Sequence, residues 1–346
     1  MDIKSGIEWR YRKYFNSSLR YDRNILKAVS RRLHNIIESR SASVLSYISA
    51  DSVNPGDRAS ALGVKFLANN SGVELYASKS ALRETLRVLE RLKKKGKCPK
   101  VVVGGGGLLQ ECFNPFWEEL LHLSIPFVMF GIGANTLKAK RDLPSQSLLD
   151  GIASSAAAIH VRDRMTQQLL QRGQASNPTV GVCPSVNYIM NRFQNKYNFD
   201  KTHLLHVLHP SDILMSGGNQ EQLSIIVKKA AKELGLQYDE TFHSNESLDS
   251  LLKRYKRARF VVSSRLHGCI FSFAVKTPFV GVVCDKKVSA FIETHAPEAP
   301  TMDVNFTLDE CIKNILHSET NNKIDFPYVL KRNEVAMKDA LEKLYV

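Results

Sequence analysis

No apolar run in this chain approaches the roughly 18 to 20 residues that a membrane-spanning helix needs. The longest, such as Phe127 to Phe130 and Phe279 to Cys284, are of buried-strand length. The opening residues MDIKSGIEWRYRKYF carry charge but neither an apolar segment nor a small-residue cleavage site, so they do not read as a secretory signal. A cytoplasmic protein is the expectation from both absences. Cysteine is sparse and scattered: Cys98, Cys112, Cys183, Cys269, Cys284 and Cys311 include no C-x-x-C pair. That argues against a disulfide framework and a zinc knuckle, and most are expected to be buried thiols. Acidic residues are in deficit, 34 against 48 Lys/Arg, which leaves a net charge of +14. The imbalance is steepest in residues 1–40, with ten Lys/Arg against four Asp/Glu, and basic residues recur at Lys93, Lys94, Lys95, Lys97 and Lys100. Such surfaces draw polyanions. No helix-turn-helix, RNA-recognition signature or finger spacing accompanies them, so nucleic acid is not an expected partner. A solvated basic surface that aids solubility is the plain alternative. The chain also lacks a D-x-D motif, which disfavours a metal-dependent nucleotide-sugar enzyme.

Hydrophobic residues at 43% and charged residues at 24% fit a folded globular protein, and 346 residues suffice for two cores. Residues 1–40 read as a basic, partly helical extension in which Trp9, Tyr11, Tyr14 and Phe15 sit among charges. From Ser43 onward, short apolar strands alternate with helical segments. SVLSYISA, VELYA, Lys100 to Val103, PFVMFGIGA, AAIHV and TVGVC are the strands of a first unit, and four successive glycines, Gly104 to Gly107, break the third. Ser80 to Lys95 is an amphipathic helix, with Leu82, Leu86, Leu89 and Leu92 on one face. RDRMTQQLLQRG is another, with Gly173 as its C-terminal cap. After Pro184 the polar stretch NRFQNKYNFDKTH reads as a linker. The alternation then restarts with strands HLLHVL, LQYDETF, RFVVSS and PFVGVV. This pattern predicts two doubly wound parallel-sheet, Rossmann-like α/β domains facing a cleft at the strands' carboxyl ends. The expected boundaries are 41–190 for the N-terminal domain and 191–326 for the C-terminal domain, with a helix over 327–346 packing back on the first.

Three strand-to-helix junctions carry residues suited to chemistry. Gly104 to Gly107, with Gly105, Gly106 and Gly107 foremost, let backbone N–H groups approach an anion, but match neither the dinucleotide fingerprint nor a P-loop. A tight turn without a ligand is the alternative. Arg162, in His160-Val161-Arg162-Asp163, ends a strand where a guanidinium suits carboxylate or phosphate. Its alternative is a surface pair with Asp163. In Ser263-Ser264-Arg265-Leu266-His267-Gly268 a strand feeds a helix whose N-terminus, with Arg265, favours an anion, beside a proton-shuttling His267. A purely structural histidine is the alternative there. His203, His206 and His209, read as one strand, alternate faces and cannot converge on a metal, so no metal site is expected.

Taken in order, N-x-G-D, GGGG-L-L-Q, G-x-G, V-R-D and S-x-R-L-H-G resemble the polysaccharide pyruvyl transferase family, from Asn54 to about Lys286. The resemblance implies the two-domain shape of GT-B glycosyltransferases. It also implies transfer of a pyruvyl group from phosphoenolpyruvate to a sugar of a polysaccharide or exopolysaccharide precursor, usually as a ketal. It makes Arg162, Ser264, Arg265, Leu266 and His267 the donor-binding positions, with His267 and Arg265 catalytic. Asn54, Gly56 and Asp57, with Gly105, Gly106 and Gly107, are expected on the acceptor side. The family often has Asp where this chain has Ser185. No cofactor is implied, phosphoenolpyruvate being a co-substrate. Expected partners are that donor, a sugar or lipid-linked oligosaccharide acceptor and, through residues 1–40, the anionic inner face of a membrane. The rival readings are a nucleotide-sugar glycosyltransferase of the same shape and a catalytically silent glycan-binding relative.

Overall fold

The structure is a computed structural model that describes residues 43–50, 54–69, 72–135, 143–171, 177–193, 199–244, 246–319 and 325–345. The basic extension and Gly173 lie outside the described residues. In chain order the first half runs β1 (Ser43–Ser49), α1 (Pro55–Ala68), β2 (Val73–Tyr76), α2 (Leu82–Lys94), β3 (Cys98–Leu109), α3 (Asn114–His122), β4 (Phe127–Ala134), α4 (Gln146–Ser155), β5 (Ile159–Val161), α5 (Arg164–Gln171), β6 (Thr179–Val180) and α6 (Pro184–Phe193). The second half runs β7 (His203–Val207), α7 (Pro210–Met215), α8 (Gln220–Glu233), β8 (Gln237–Thr241), α9 (Leu248–Arg257), β9 (Ala258–Ser263), α10 (Leu266–Ala274), β10 (Phe279–Val282), α11 (Lys286–His295), β11 (Thr301–Met302), α12 (Leu308–Glu319) and α13 (Phe326–Tyr345).

Two sheets result, ordered β2-β1-β3-β4-β5-β6 and β11-β10-β9-β7-β8. Every strand pairing described is parallel. Parallel strands need crossover helices, which bury both faces, and the side chains alternate accordingly. Val101, Val103, Phe127 and Met129 enter one core of the first sheet, while Val102, Val128 and Phe130 enter the core on its other face. In the second sheet Val261 faces one core while Phe260 and Val262 face the other. Strand order reverses between β1 and β3 and between β7 and β9, so each sheet has one switch point, where a doubly wound fold opens a crevice.

Three readings of the sequence need correction. The glycines do not break the third strand: β3 runs to Leu109, with its register against β4 shifting only between Gly106 and Leu109. The stretch read as a linker, NRFQNKYNFDKTH, opens inside a helix: its first three residues, 191–193, close α6. The buried Val186, Ile189, Met190 and Phe193 of α6 share a core with Leu205, Val207 and Val261 of the second sheet. Finally, β7 ends at Val207, so His209 is off the strand and caps α7 instead.

Two helices tie the halves together. Ala59 of α1 belongs to the second core, and a Cβ on Gly63 would lie 2.1 Å from the Pro184 carbonyl oxygen, so α1 and α6 touch backbone to backbone. Helix α13 places Phe326, Val329 and Leu330 on the second core and Met337, Ala340 and Leu344 on the first. Between them Asn333, fully buried, bonds to His160 Nε2 at 3.1 Å and donates to the Val182 carbonyl at 2.9 Å and Asn187 Oδ1 at 2.7 Å. Among the described residues no helix is long and apolar enough to cross a membrane.

Candidate active site

The switch points meet where α1 and α10 begin. On the first-sheet side, Asn54 caps α1 by accepting the Gly56 N–H at 3.0 Å, with Pro55 opening the helix and Asp57 in its first turn. Gly56 has to be glycine for a steric reason: a Cβ there would lie 2.1 Å from His267 Nδ1. Gly133 of β4 plays the same part for Arg162, whose Nε would lie 2.0 Å from an added Cβ. Arg162, just past β5, is 2% exposed. Its Nε has no hydrogen-bond partner among the described residues and stands 3.6 Å from Asp163 Oδ2. The other Asp163 oxygen accepts the N–H and Oγ of Thr166, both at 2.7 Å, and so caps α5. The Arg162–Asp163 pair is therefore buried, unlike the surface pair that was the alternative reading of Arg162.

Four strands of the second sheet send residues to meet them. After β7, the His209 N–H donates to Ser264 Oγ at 2.8 Å, and its ring accepts the Asp212 N–H at 3.3 Å. After β8, the Phe242 carbonyl accepts from Arg265 Nη1 at 3.1 Å, and the adjacent His243 packs on Phe271. After β9, Arg265 is the N-cap residue of α10 and His267 lies in its first turn. After β10, Asp285 caps α11 and holds Lys287 Nζ at 2.8 Å, while Asp212 Oδ2 lies 3.5 Å from the same ammonium. Lys287 is thus a nearly buried cation between two carboxylates.

Burial is the largest influence on the three histidines here. It holds His267 well below its ordinary pKa, and the charges of Arg162, Arg265 and Lys287 push it further the same way. His209 is lowered by burial and then by Arg265 and Lys287, and His243 by burial and then by Arg265. Burial raises Asp212 despite the pull of Lys287. At neutral pH the site therefore holds neutral imidazoles in a field of cations from both sheets.

Of the residues expected from sequence, Arg162, Arg265, His267, Asn54, Gly56 and Asp57 come together. Others take different roles. Ser264 is spent on the ends of β7, where its own N–H also donates to the Val207 carbonyl at 2.9 Å, and the Leu266 side chain is in the second core. Gly105 is filled by α1, since its Cβ would lie 2.7 Å from the Ala61 nitrogen, so no ligand approaches there. Gly106 and Gly107 make room for Asp57 and Asn135 in the same way. Among the described residues no group of three or more His, Cys, Asp or Glu side chains could hold a metal ion. His209, Asp212, His243, Asp285 and Lys287 were missed, although all five follow a strand's carboxyl end and that signal alone would have found them.

Residues 8–286 match the polysaccharide pyruvyl transferase family. The chain belongs to that family. Family membership implies a transferase of polysaccharide biosynthesis, on the two-domain Rossmann-like fold described above. No curated protein matches the chain in sequence. In structure this pyruvyl transferase family member is similar to UDP-GlcNAc 2-epimerase from Neisseria meningitidis bound to UDP-GlcNAc, at 11% identity and a TM-score of 0.57, covering 87% of this chain and 100% of that one. It is similarly close to UDP-GlcNAc 2-epimerase from Methanocaldococcus jannaschii, at 12% identity and a TM-score of 0.55, covering 87% and 99%. At such identities the likeness is one of fold.

Proposed function

We propose that the protein transfers the pyruvyl group of phosphoenolpyruvate to a sugar of a polysaccharide or its precursor, closing a ketal and releasing phosphate. The observation that carries this reading is the convergence of Arg162, Arg265 and Lys287, from both sheets, on the neutral ring of His267. Phosphoenolpyruvate has a carboxylate and a phosphate, and two guanidiniums plus the N-terminus of α10 are the complementary set.

In the transfer, a proton adds to the C3 methylene and C2 becomes an oxocarbenium-like centre. One sugar hydroxyl adds to C2 and loses its proton. The C2–O bond to phosphate then breaks, and a second hydroxyl completes the ketal. His267 is the acid–base. Neutral in the empty cleft, it has no proton to spare for C3. A bound anion offsets the three cations, raises the His267 pKa and lets it take a proton from solvent. That proton goes to C3, the neutral ring accepts the first hydroxyl's proton and passes it to the departing phosphate, and the ring then takes the second hydroxyl's proton. On this reading the donor loads its own acid. The site includes no redox step and needs no cofactor, and the acceptor lies on the Asn54–Asp57 side. The acceptor's linkage to lipid, and any membrane contact through residues 1–40, belong to the same proposal.

Thermal shift separates the readings. Phosphoenolpyruvate is expected to raise the melting temperature, by mass action on the folded state, and UDP-GlcNAc is not. A shift with the nucleotide sugar alone would indicate a glycosyltransferase, and none with either a silent binding relative. Mass spectrometry of a glycan panel incubated with phosphoenolpyruvate then identifies the acceptor.

A further inference from the structure

The two ring nitrogens of His267 have unlike surroundings. Nδ1 lies over Gly56 at the turn that opens α1. Nε2 lies 3.3 Å from Ser60 Oγ, in the second turn of α1. Ser60 is fully buried, and its Oγ lies 3.1 Å from Cys183 Sγ. Cys183, a fully buried free thiol, in turn accepts a hydrogen bond from Ser185 Oγ at 3.1 Å.

We propose that Ser60, backed by Cys183 and Ser185, is the positioning residue of His267: it donates to Nε2 and keeps the imidazole proton on Nδ1, the nitrogen at the cleft. The direction follows from proton counting. Each hydroxyl and the thiol has one hydrogen to give. Ser185 gives its hydrogen to Sγ, the thiol's hydrogen is left for Ser60 Oγ, and the Ser60 hydrogen is left for Nε2. All four groups are then satisfied in one sense along the chain, which a low-dielectric setting favours. When the ring gains a second proton, Nε2–H donates to Ser60, whose hydroxyl turns to Sγ, so both charge states are held without moving the ring. Ser60, Cys183 and Ser185 are fully buried, so their route to the cleft is through His267. The chain also crosses the domains, because Ser60 stands on α1, Cys183 and Ser185 where α6 begins, and His267 on α10.

The test is NMR of the full-length protein labelled with 15N-histidine, without substrate, near pH 7.5. The His267 signal is assigned by its loss in His267→Gln. Nitrogen shifts are expected to show Nδ1 protonated and Nε2 bare. Ser60→Ala is expected to lower the ratio of the two tautomers about tenfold, the worth of one net hydrogen bond, and Cys183→Ser to preserve it. Should Ser60→Ala fail to fold, Cys183→Ala cuts the chain one link further out and is expected to move the ratio in the same direction. A proton on Nε2 in the unsubstituted protein overturns the proposal. So does an unchanged ratio in Ser60→Ala accompanied only by a lower melting temperature, the mark of a packing role. The importance of this tautomer for turnover rests on the phosphoenolpyruvate reading, but the spectra do not. Loss of that reading leaves the tautomer result standing, and the reverse holds too.

Discussion

On the first-sheet side of the cleft, Gly56 and Gly133 present bare backbone, and Arg162 is pressed against Gly133. On the second-sheet side, His209, His243, Arg265, His267 and Lys287 gather at the ends of four strands. One wall supplies space and the other supplies charge. The division has a physical reason. A cation and an imidazole this closely packed need their neighbour's backbone within van der Waals reach, and only glycine permits that. The sharpest way to break the comparison is to give the first wall a side chain. Gly56→Ala adds a single methyl carbon where the His267 ring now lies, and α1 cannot retreat because Gly63 already abuts Pro184. Pyruvyl transfer by Gly56→Ala is expected to fall at least as far as in His267→Ala, roughly 10²- to 10⁴-fold. A Gly56→Ala enzyme that keeps its rate while His267→Ala loses it would show that the space is not needed.

Much of this was legible in the sequence, and what was missed has identifiable causes. Parallel α/β architecture followed from alternation, because a strand buried on both faces has few spellings. Arg162, Arg265 and His267 were found because each ends or follows a strand. The glycines misled: a run of four reads as a turn, yet Gly104 and Gly105 lie within β3 where α1 packs against it. Helix α6 was missed because its Asn187 bonds inward to α13, a partner more than a hundred residues away. His209 was lost through a strand carried two residues too far. That error hid Asp212 as well, which follows His209 in α7 and donates its N–H to the His209 ring.

The second wall's charge predicts a proton count. Donor binding should raise the His267 pKa, so phosphoenolpyruvate is expected to take up close to one proton per site near pH 7.5. Calorimetry in buffers of different ionisation heat measures this directly. Uptake undiminished in His267→Gln would assign the proton to His209 or His243, which share the field of Arg265.

A smaller effect compares the two arginines. Lysine keeps the charge but loses the planar fork, so Arg162→Lys and Arg265→Lys are each expected to weaken phosphoenolpyruvate binding about tenfold. They should differ in stability. Arg265 is partly open to solvent, so its lysine variant should melt near the native temperature. Arg162 is buried against Asp163, so its variant should melt lower even without ligand. Equal melting temperatures for the pair would contradict the contrast between a packed cation and an open one.

Histidine is distributed as unevenly as charge. Among the described residues, six histidines are held below their ordinary pKa: His160 on the first sheet, and His206, His209, His243, His267 and His295 in the second half. His160 is lowered to about 4, chiefly by burial and against the hydrogen bond its Nε2 donates to Asn333 Oδ1. Its folded pKa lies below the unfolded one, so as pH falls through about 6.5 the unfolded chain takes up a proton that the folded chain refuses. Stability from this group is whole above about pH 7 and is lost progressively down to about pH 4. Between pH 7.5 and 6.0 the loss from His160 is about 0.8 kcal/mol. His160→Gln keeps an amide where the ring bonded and removes the titration. Denaturant unfolding at the two pH values should therefore show the variant losing about 0.8 kcal/mol less than the native protein, with most of the slope left because five histidines stay in the second half. If His160→Gln instead removed most of the slope, the acid sensitivity would belong to the seam under α13 and not to the charged wall.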